Sequence, residues 1–264
     1  MNKNVNFMDA TGKSASELRK EIIGHLESDF GYVIVRNTNY PTGDVDVIIE
    51  KFTDFCANLG ELEVHDDSAI VWHIKPRKSE SKVFTFSEHN DEAPFHTDSQ
   101  YRQEPENYQA LYAIKKADCG GGLSSIITLK SILKVLDAHP NGKELRRIFT
   151  EIDLPFAVPT VFKKEKDNDK EVIYGKVLGD NKIRYRYDTL KKGLEFVPGI
   201  LSDEQVEMIT YFEKLVNEDH ESESYMLQNG DILVLNNRRV MHKRSGFEDW
   251  ERHLLRIRFN PINE

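Results

Sequence analysis

The sequence predicts a mainly β chain with helices, of α+β class, built as a β-sandwich or jelly-roll core with helical decoration. Two observations lead there. Short apolar segments with strand character recur along the chain, separated by Gly, Asn and Asp turns. Helical periodicity, in contrast, is concentrated near the start and in a later insert. The 264 residues show no internal repeat, no low-complexity tract and no linker, so a single domain over residues 1–264 is expected.

Each element has its own justification. Residues 16–28 carry Leu18, Ile22, Ile23 and Leu26 on one stripe, with Ser14 or Ser16 as cap, and are expected to be helical. Residues 31–36 read as a buried strand. A second helix is expected over 44–59, with Val47, Ile48, Phe52, Phe55 and Cys56 inward and Gly60 as a stop. Residues 61–81 look irregular, and 83–86 look like a short strand. Strands follow at 108–114 and 123–127, and short helices at 129–136 and 143–149. The charged run 163–171 suggests a solvated loop or hairpin tip and not a binding motif. Residues 171–178 and 182–187 flank Gly179-Asp-Asn181, a hairpin signal. Ser202-Asp-Glu-Gln205 opens the longest helix, expected to reach about residue 217. Strands at 232–235, 240–242 and 253–259 complete the chain.

Composition excludes several classes of function. Thirty-six basic against 45 acidic residues give a net charge of −9, which argues against nucleic acid as a partner. The longest apolar runs, such as Ile232-Leu-Val-Leu235, are far short of the ~20 residues that span a bilayer. The first residues carry no apolar stretch of the signal-peptide kind. Cys56 and Cys119 form no C-x-x-C and are expected to be reduced thiols, in keeping with a cytoplasmic location and no membrane.

The chemistry-bearing stretch is Ala93-Pro-Phe-His-Thr-Asp-Ser-Gln100. On an extended strand His96 and Asp98 point the same way, because side chains repeat with period two. Two such groups can hold one metal ion from one side, and His242, at the end of a distant apolar strand, is the candidate third ligand. Two histidines and one carboxylate form the facial triad of non-haem Fe(II) oxygenases, with positions left open for chemistry. Further along lie Arg244, Arg252, Arg256 and Arg258, and positions 252, 254, 256 and 258 share one strand face. Arginines on an otherwise apolar strand are costly unless they meet anions, and a guanidinium grips a carboxylate with two prongs. His25, His139 and His220 are expected on helix or loop surfaces; His65, His73 and His89 are expected as structural residues, with an approach to the site from the N-terminal region as the alternative.

In order along the chain stand Phe95-His-Thr-Asp-Ser99, Gly121-Gly-Leu-Ser124, Arg186-Tyr-Asp188, Gly230 to His242, and Arg252-His-Leu-Leu-Arg256. This ordered set resembles the taurine dioxygenase / clavaminate synthase-like branch of the Fe(II)- and 2-oxoglutarate-dependent oxygenases. The resemblance covers roughly residues 93–259. It implies a double-stranded β-helix fold, iron held by His96, Asp98 and His242, and 2-oxoglutarate and O2 as cosubstrates. It implies that Arg252 grips the far carboxylate of 2-oxoglutarate. The family's Gly-Gly-x-Thr pattern gives Ser124 as the hydroxyl partner, with Ser125 beside it. Arg256 looks like the arginine that reads a substrate acid group in some relatives, or a second contact to 2-oxoglutarate. Gln100, with Tyr101 and Arg102, and Arg186 with Asp188 are further candidate substrate contacts.

The expected reaction is hydroxylation of a small carboxylate, an amino acid or a derivative, with release of succinate and CO2. In halogenating relatives a small residue replaces the carboxylate ligand, whereas Asp98 fills that position here. Desaturation or cyclisation by the same iron chemistry, a sulfonate or a carrier-bound substrate, and a non-catalytic metal-binding β-sandwich module are the alternatives. A structural metal site closes all its positions, whereas a triad of this kind leaves some open.

Overall fold

The computed structural model describes residues 5–40, 43–64, 69–77, 85–160, 170–218 and 222–262. The first part of the chain runs β1 (Phe7–Asp9), α1 (Ala15–Glu27), β2 (Tyr32–Arg36), α2 (Val45–Leu59), β3 (Glu61–Leu62), β4 (Trp72–Ile74), β5 (Ala93–His96), β6 (Tyr108–Lys115) and β7 (Ser124–Thr128). Next come α3 (Leu129–Ala138), α4 (Gly142–Glu151), β8 (Leu154–Ala157), β9 (Val172–Gly175), β10 (Leu178–Gly179), β11 (Lys182–Ile183), α5 (Tyr187–Phe196) and α6 (Asp203–Glu218). The chain closes with β12 (Glu223–Tyr225), β13 (Ile232–Asn236), β14 (Val240–Arg244) and β15 (His253–Asn260).

The architecture is mixed α+β, in four layers. A major sheet runs β1-β2-β13-β6-β15-β3, with β4 also on β15, and a minor sheet runs β12-β7-β14-β5. One face of the major sheet, with Val33, Val35, Tyr112, Val234 and Ile257, packs on Ile22 and Leu26 of α1 and on Phe52 and Leu59 of α2. Its other face meets the minor sheet across Tyr32, Ile34, Leu111, Leu233, Ile126, Val240 and Leu254. The outer face of the minor sheet, with Phe95, Ile127 and Met241, packs on α3, α4, α5 and α6 through Ile132, Leu145, Leu190 and Phe212. Period-two alternation therefore decides everything about the site. On β14, Met241 goes outward and Val240 and His242 go inward; on β5, Phe95 goes outward and His96 inward. Among the described residues no helix is long and apolar enough to cross a membrane.

Most expected elements are present, with informative differences. Ser14 caps α1 in a full capping box with Glu17, and Asp44 caps α2 by accepting from two backbone N–H groups. The helices are two outer layers and not mere decoration, and α5 was not expected. Its apolar stripe is short because Gly193 sits against β8, where an added Cβ would lie 2.0 Å from the Pro155 carbonyl oxygen. The hairpin around Gly179 is real but shorter than expected, since pairing stops at Ile183. Beyond it Tyr185 pairs with Thr97 instead, accepting from Thr97 N at 2.7 Å. Leu154–Ala157 turns out to be a strand, partner to the expected strand at Val172–Gly175. Residues 61–81 contain the short strands β3 and β4 on the edge of the major sheet. Of the strand expected at 83–86, Val83 and Phe84 lie outside the described residues and Phe86 begins a turn. The charged run through residue 169 also lies outside them, as do His65 and His220. His139 is buried against Tyr211, not on the surface.

Candidate active site

The polar end of the space between the sheets holds the site. β14 runs antiparallel to β5 with His242 directly opposite His96, and the two rings lie 4.3 Å apart. His96 donates from Nδ1 to the Pro94 carbonyl at 2.7 Å, which fixes its tautomer and leaves Nε2 free to act as a ligand. Burial, and then neighbouring His96, push His242 down to about 3, so this imidazole is neutral at ordinary pH. Asp98 Oδ1 stands 3.6 Å from His96 Nε2 and 4.0 Å from His242 Nε2. One ligand atom from each of the three residues lies within 4.8 Å of the others. Two imidazole nitrogens and one carboxylate oxygen facing one point fit a divalent metal such as Fe(II).

The second oxygen of Asp98 is held from the major sheet. Arg256 Nη1 donates to Oδ2 at 2.8 Å and Arg258 Nη2 at 3.3 Å. Burial alone would raise the Asp98 pKa, but the two guanidinium groups outweigh it and keep the carboxyl well below the usual range. Glu106, itself buried, lies 3.8 Å from Arg258 and accepts from Arg102. Burial likewise opposes the charge of Arg258, yet Asp98 and Glu106 together hold it above the ordinary arginine value. Asp98 thus bridges the sheets, one oxygen toward the histidines and the other toward two arginines. Its backbone is fixed too: Asn237 accepts from Asp98 N at 2.7 Å and donates to the Asp98 carbonyl at 3.0 Å. Arg184 secures the following loop by donating to the carbonyls of Gln100 and Arg102.

Beside the metal point lies a cavity lined by His96, Gln109, Ser124, His242, Lys243, Arg252 and Arg256, with Phe86 and Leu111 on its walls. Arg252 is 4 % exposed, and its Nη1 is buried with no hydrogen-bond partner among the described residues. Burial, and then Arg244, lower its pKa to about 9. Its guanidinium sits 5.0 Å from the Phe247 ring centroid. A buried cation with a free prong fits a carboxylate of a dicarboxylate cosubstrate. Ser124 faces the same cavity, whereas the Ser125 hydroxyl pairs with Ser224 at 2.7 Å. Gly122 makes room for Arg252: its φ is +75, in the left-handed region that favours glycine, and an added Cβ would lie 3.0 Å from Arg252 Nε. Gly122→Ala is therefore expected to weaken cosubstrate binding severalfold and to cost about 1 kcal/mol of stability. Calorimetric titration and a thermal melt check both.

The remaining candidates divide. Arg256 was expected to read a substrate acid group, and the structure engages its Nη1 with Asp98 instead, while the side chain still lines the cavity. Gln100 was expected to touch substrate; it is fully buried and donates to Thr189 at 3.2 Å, away from the cavity. Arg186 and Asp188 form a two-pronged pair, at 2.7 and 2.8 Å, and line a small neighbouring cavity with Phe86, Pro94 and His96. Arg244 holds a loop by donating to the carbonyls of Phe86, His89 and Asp91. His73 and His253 pair with each other at 2.9 Å. Sequence reasoning missed Asn237, Glu106, Arg184 and Gln109. Only Asn237 carried a signal, as an Asn in a turn, where such side chains bond to nearby backbone.

Comparison with known proteins agrees with this geometry. Residues 4–258 match the model of the taurine catabolism dioxygenase TauD, TfdA family. Dioxygenase str8 of Strobilurus tenacellus is 25 % identical over 239 residues, covering 83 % of this chain and 49 % of that protein. The chain thus spans about half the length of this curated relative. An asparagine oxygenase solved with Fe(II), 2S,3S-3-hydroxyasparagine and succinate superposes with a TM-score of 0.67 at 15 % identity, over 93 % of this chain and 79 % of that one. The non-heme iron oxygenase OrfP, solved with Fe and alpha-ketoglutaric acid, gives a TM-score of 0.65 at 16 % identity, over 94 % and 80 %. These two likenesses concern the fold, while the family match extends over nearly the whole chain, and on that match the chain belongs to the TauD/TfdA family of dioxygenases.

Proposed function

We propose that the protein is an Fe(II)- and 2-oxoglutarate-dependent dioxygenase with a double-stranded β-helix core, which hydroxylates a C–H of a small carboxylate such as an amino acid or derivative. One observation carries the reading: three ligand atoms lie within 4.8 Å of one another, and the two histidines among them line a cavity that also holds a buried arginine with an unpartnered nitrogen. His96, Asp98 and His242 would hold the metal from one side. Arg252 and Ser124 would hold the far carboxylate of the cosubstrate. Iron with 2-oxoglutarate and O2 supplies oxidative decarboxylation, giving succinate and CO2 and placing one oxygen atom in the substrate.

The chain's own part is orientation, charge balance and exclusion of water. Arg256 and Arg258 keep Asp98 ionised and aimed, so that its other oxygen stays turned to the histidines. Phe86, edge-on to His96 at 5.1 Å, covers the histidine and is itself covered by the Arg186 guanidinium at 3.9 Å. Arg186, Asp188 and the free part of Arg256 are the groups available to an amino-acid substrate. The hydroxyasparagine and hydroxyarginine in the asparagine oxygenase and OrfP structures support an amino acid as the class.

Anaerobic addition of Fe(II) and 2-oxoglutarate is expected to give a weak visible charge-transfer band. Aerobic incubation with a panel of amino acids and their derivatives is expected to release succinate, with a product heavier by one oxygen atom. A protein that gives neither the band nor substrate-stimulated succinate does not have this function. A product lighter by two hydrogens would replace hydroxylation with desaturation or ring closure.

A further inference from the structure

Gln109 lines the cavity and belongs to neither the triad nor the arginines. It lies on β6, opposite Arg258 of β15 and Leu235 of β13. Leu111 and Ala113, on the same face of the strand, are part of the apolar filling between the sheets. Gln109 is thus an amide at a position where the strand's pattern calls for an apolar side chain. It is 1 % exposed, and its Oε1 is buried with no partner among the described residues. Its Nε2 lies 3.4 Å from His242 Nε2, a long contact to the very nitrogen that would bind the metal. Neutral imidazole has a single lone pair. A metal on His242 Nε2 takes that lone pair and leaves the amide nitrogen without its acceptor. Both ends of the Gln109 amide then need partners, in a pocket where an unsatisfied polar group is costly.

We propose that Gln109 is the residue that binds the metal-proximal end of the dicarboxylate cosubstrate, with its amide N–H donating to an oxygen there. This rests on the reading of the cavity as the 2-oxoglutarate site. Arg252 and Ser124 then hold one end of the cosubstrate and Gln109 the other. Gln109 would in this way hold and orient the metal-proximal carboxylate, while Arg252 and Ser124 anchor the far one.

The test separates metal from cosubstrate. Mn(II) is titrated into wild type, Gln109→Leu and Gln109→Asn, and 2-oxoglutarate is then titrated into each Mn(II)-loaded protein by calorimetry. The anaerobic Fe(II)/2-oxoglutarate band is recorded for the same three. Mn(II) affinity within about twofold of wild type, a 2-oxoglutarate Kd weakened about tenfold in both variants, and a displaced band maximum are expected. Gln109→Asn keeps the amide on a shorter stem, so it stands in should Gln109→Leu fail to fold. Loss of Mn(II) affinity with unchanged 2-oxoglutarate binding would overturn the proposal and leave Gln109 a support for His242 alone. Unchanged binding of both would overturn it as well. Wild type that binds Mn(II) but not 2-oxoglutarate would overturn the cavity reading first, and the role of Gln109 with it.

Discussion

Asp98→Ala is expected to abolish turnover and tight Fe(II) binding, and to destabilise the metal-free protein by about 3–5 kcal/mol. The two effects have one origin. Asp98 Oδ2 is the shared acceptor of Arg256 and Arg258, each less than a tenth exposed. Removing the carboxylate leaves two buried cations near each other, with Glu106, 3.8 Å from Arg258, left to offset them. Breaking a buried pair from one side costs far more than the pair is worth as a unit. Metal titration followed by optical or paramagnetic signals, together with a denaturant melt, measures both quantities. Arg258→Met is the partial version: it removes one prong and is expected to lower metal affinity while leaving the cosubstrate Kd of the metal-loaded protein close to wild type. Wild-type metal affinity in Asp98→Ala would take Asp98 out of the ligand set.

Arg252→Met is expected to do something rarer, raising thermal stability while weakening 2-oxoglutarate more than tenfold. Arg252 carries a charge into the protein interior without a carboxylate partner among the described residues, and burial lowers its pKa to about 9. That is a cost to the folded state at neutral pH, where the group stays protonated. Since the folded pKa is depressed for a base, the cost is present below about pH 9 and fades as pH rises through that value. A methionine of similar length fills the space between Gly122 and Phe247 without the charge. The cosubstrate, however, loses a charge-assisted contact worth ~2–5 kcal/mol. A melt and a 2-oxoglutarate titration on the same sample decide it. A variant that is less stable and binds 2-oxoglutarate normally would mean that Arg252 serves packing. Arg256→Met should behave differently, because Arg256 is tied to Asp98: it should lose metal affinity first.

How much of this was legible in the sequence follows from what period and spacing can encode. The alternation Phe95, His96 and Met241, His242 states which side chains share a face, and the structure brings those faces together. The shared face of Arg256 and Arg258 was legible in the same way. What they touch was not, because the contact runs between sheets, and strand period carries no information on what lies across an interlayer gap. Gln100 illustrates the opposite error. It sits two residues past Asp98, but Ser99 adopts a positive φ of 55°, which breaks the extended run and turns Gln100 inward toward Thr189. Helix α5 was missed because Gly193, a helix-weakening residue in any propensity scale, is there for close approach to β8. Gln109 gave no signal, since one amide in an apolar strand reads as a satisfied core residue.

The direct pairing of His242 with His96 makes the proposed metal site a gauge of strand alignment. A slip of one residue along β14 would present Met241 to the ion and drive His242 into the apolar layer against α3–α6. No partial site survives such an error, so a mispaired chain is silent toward metal as well as poorly packed. Metal uptake therefore samples only molecules whose two sheets have closed in the right alignment. For the same reason an insertion or deletion in the tight turn at Asn236–Arg239, closed by Arg239 N–H donating to the Asn236 carbonyl, is expected to abolish metal uptake, which a metal titration checks.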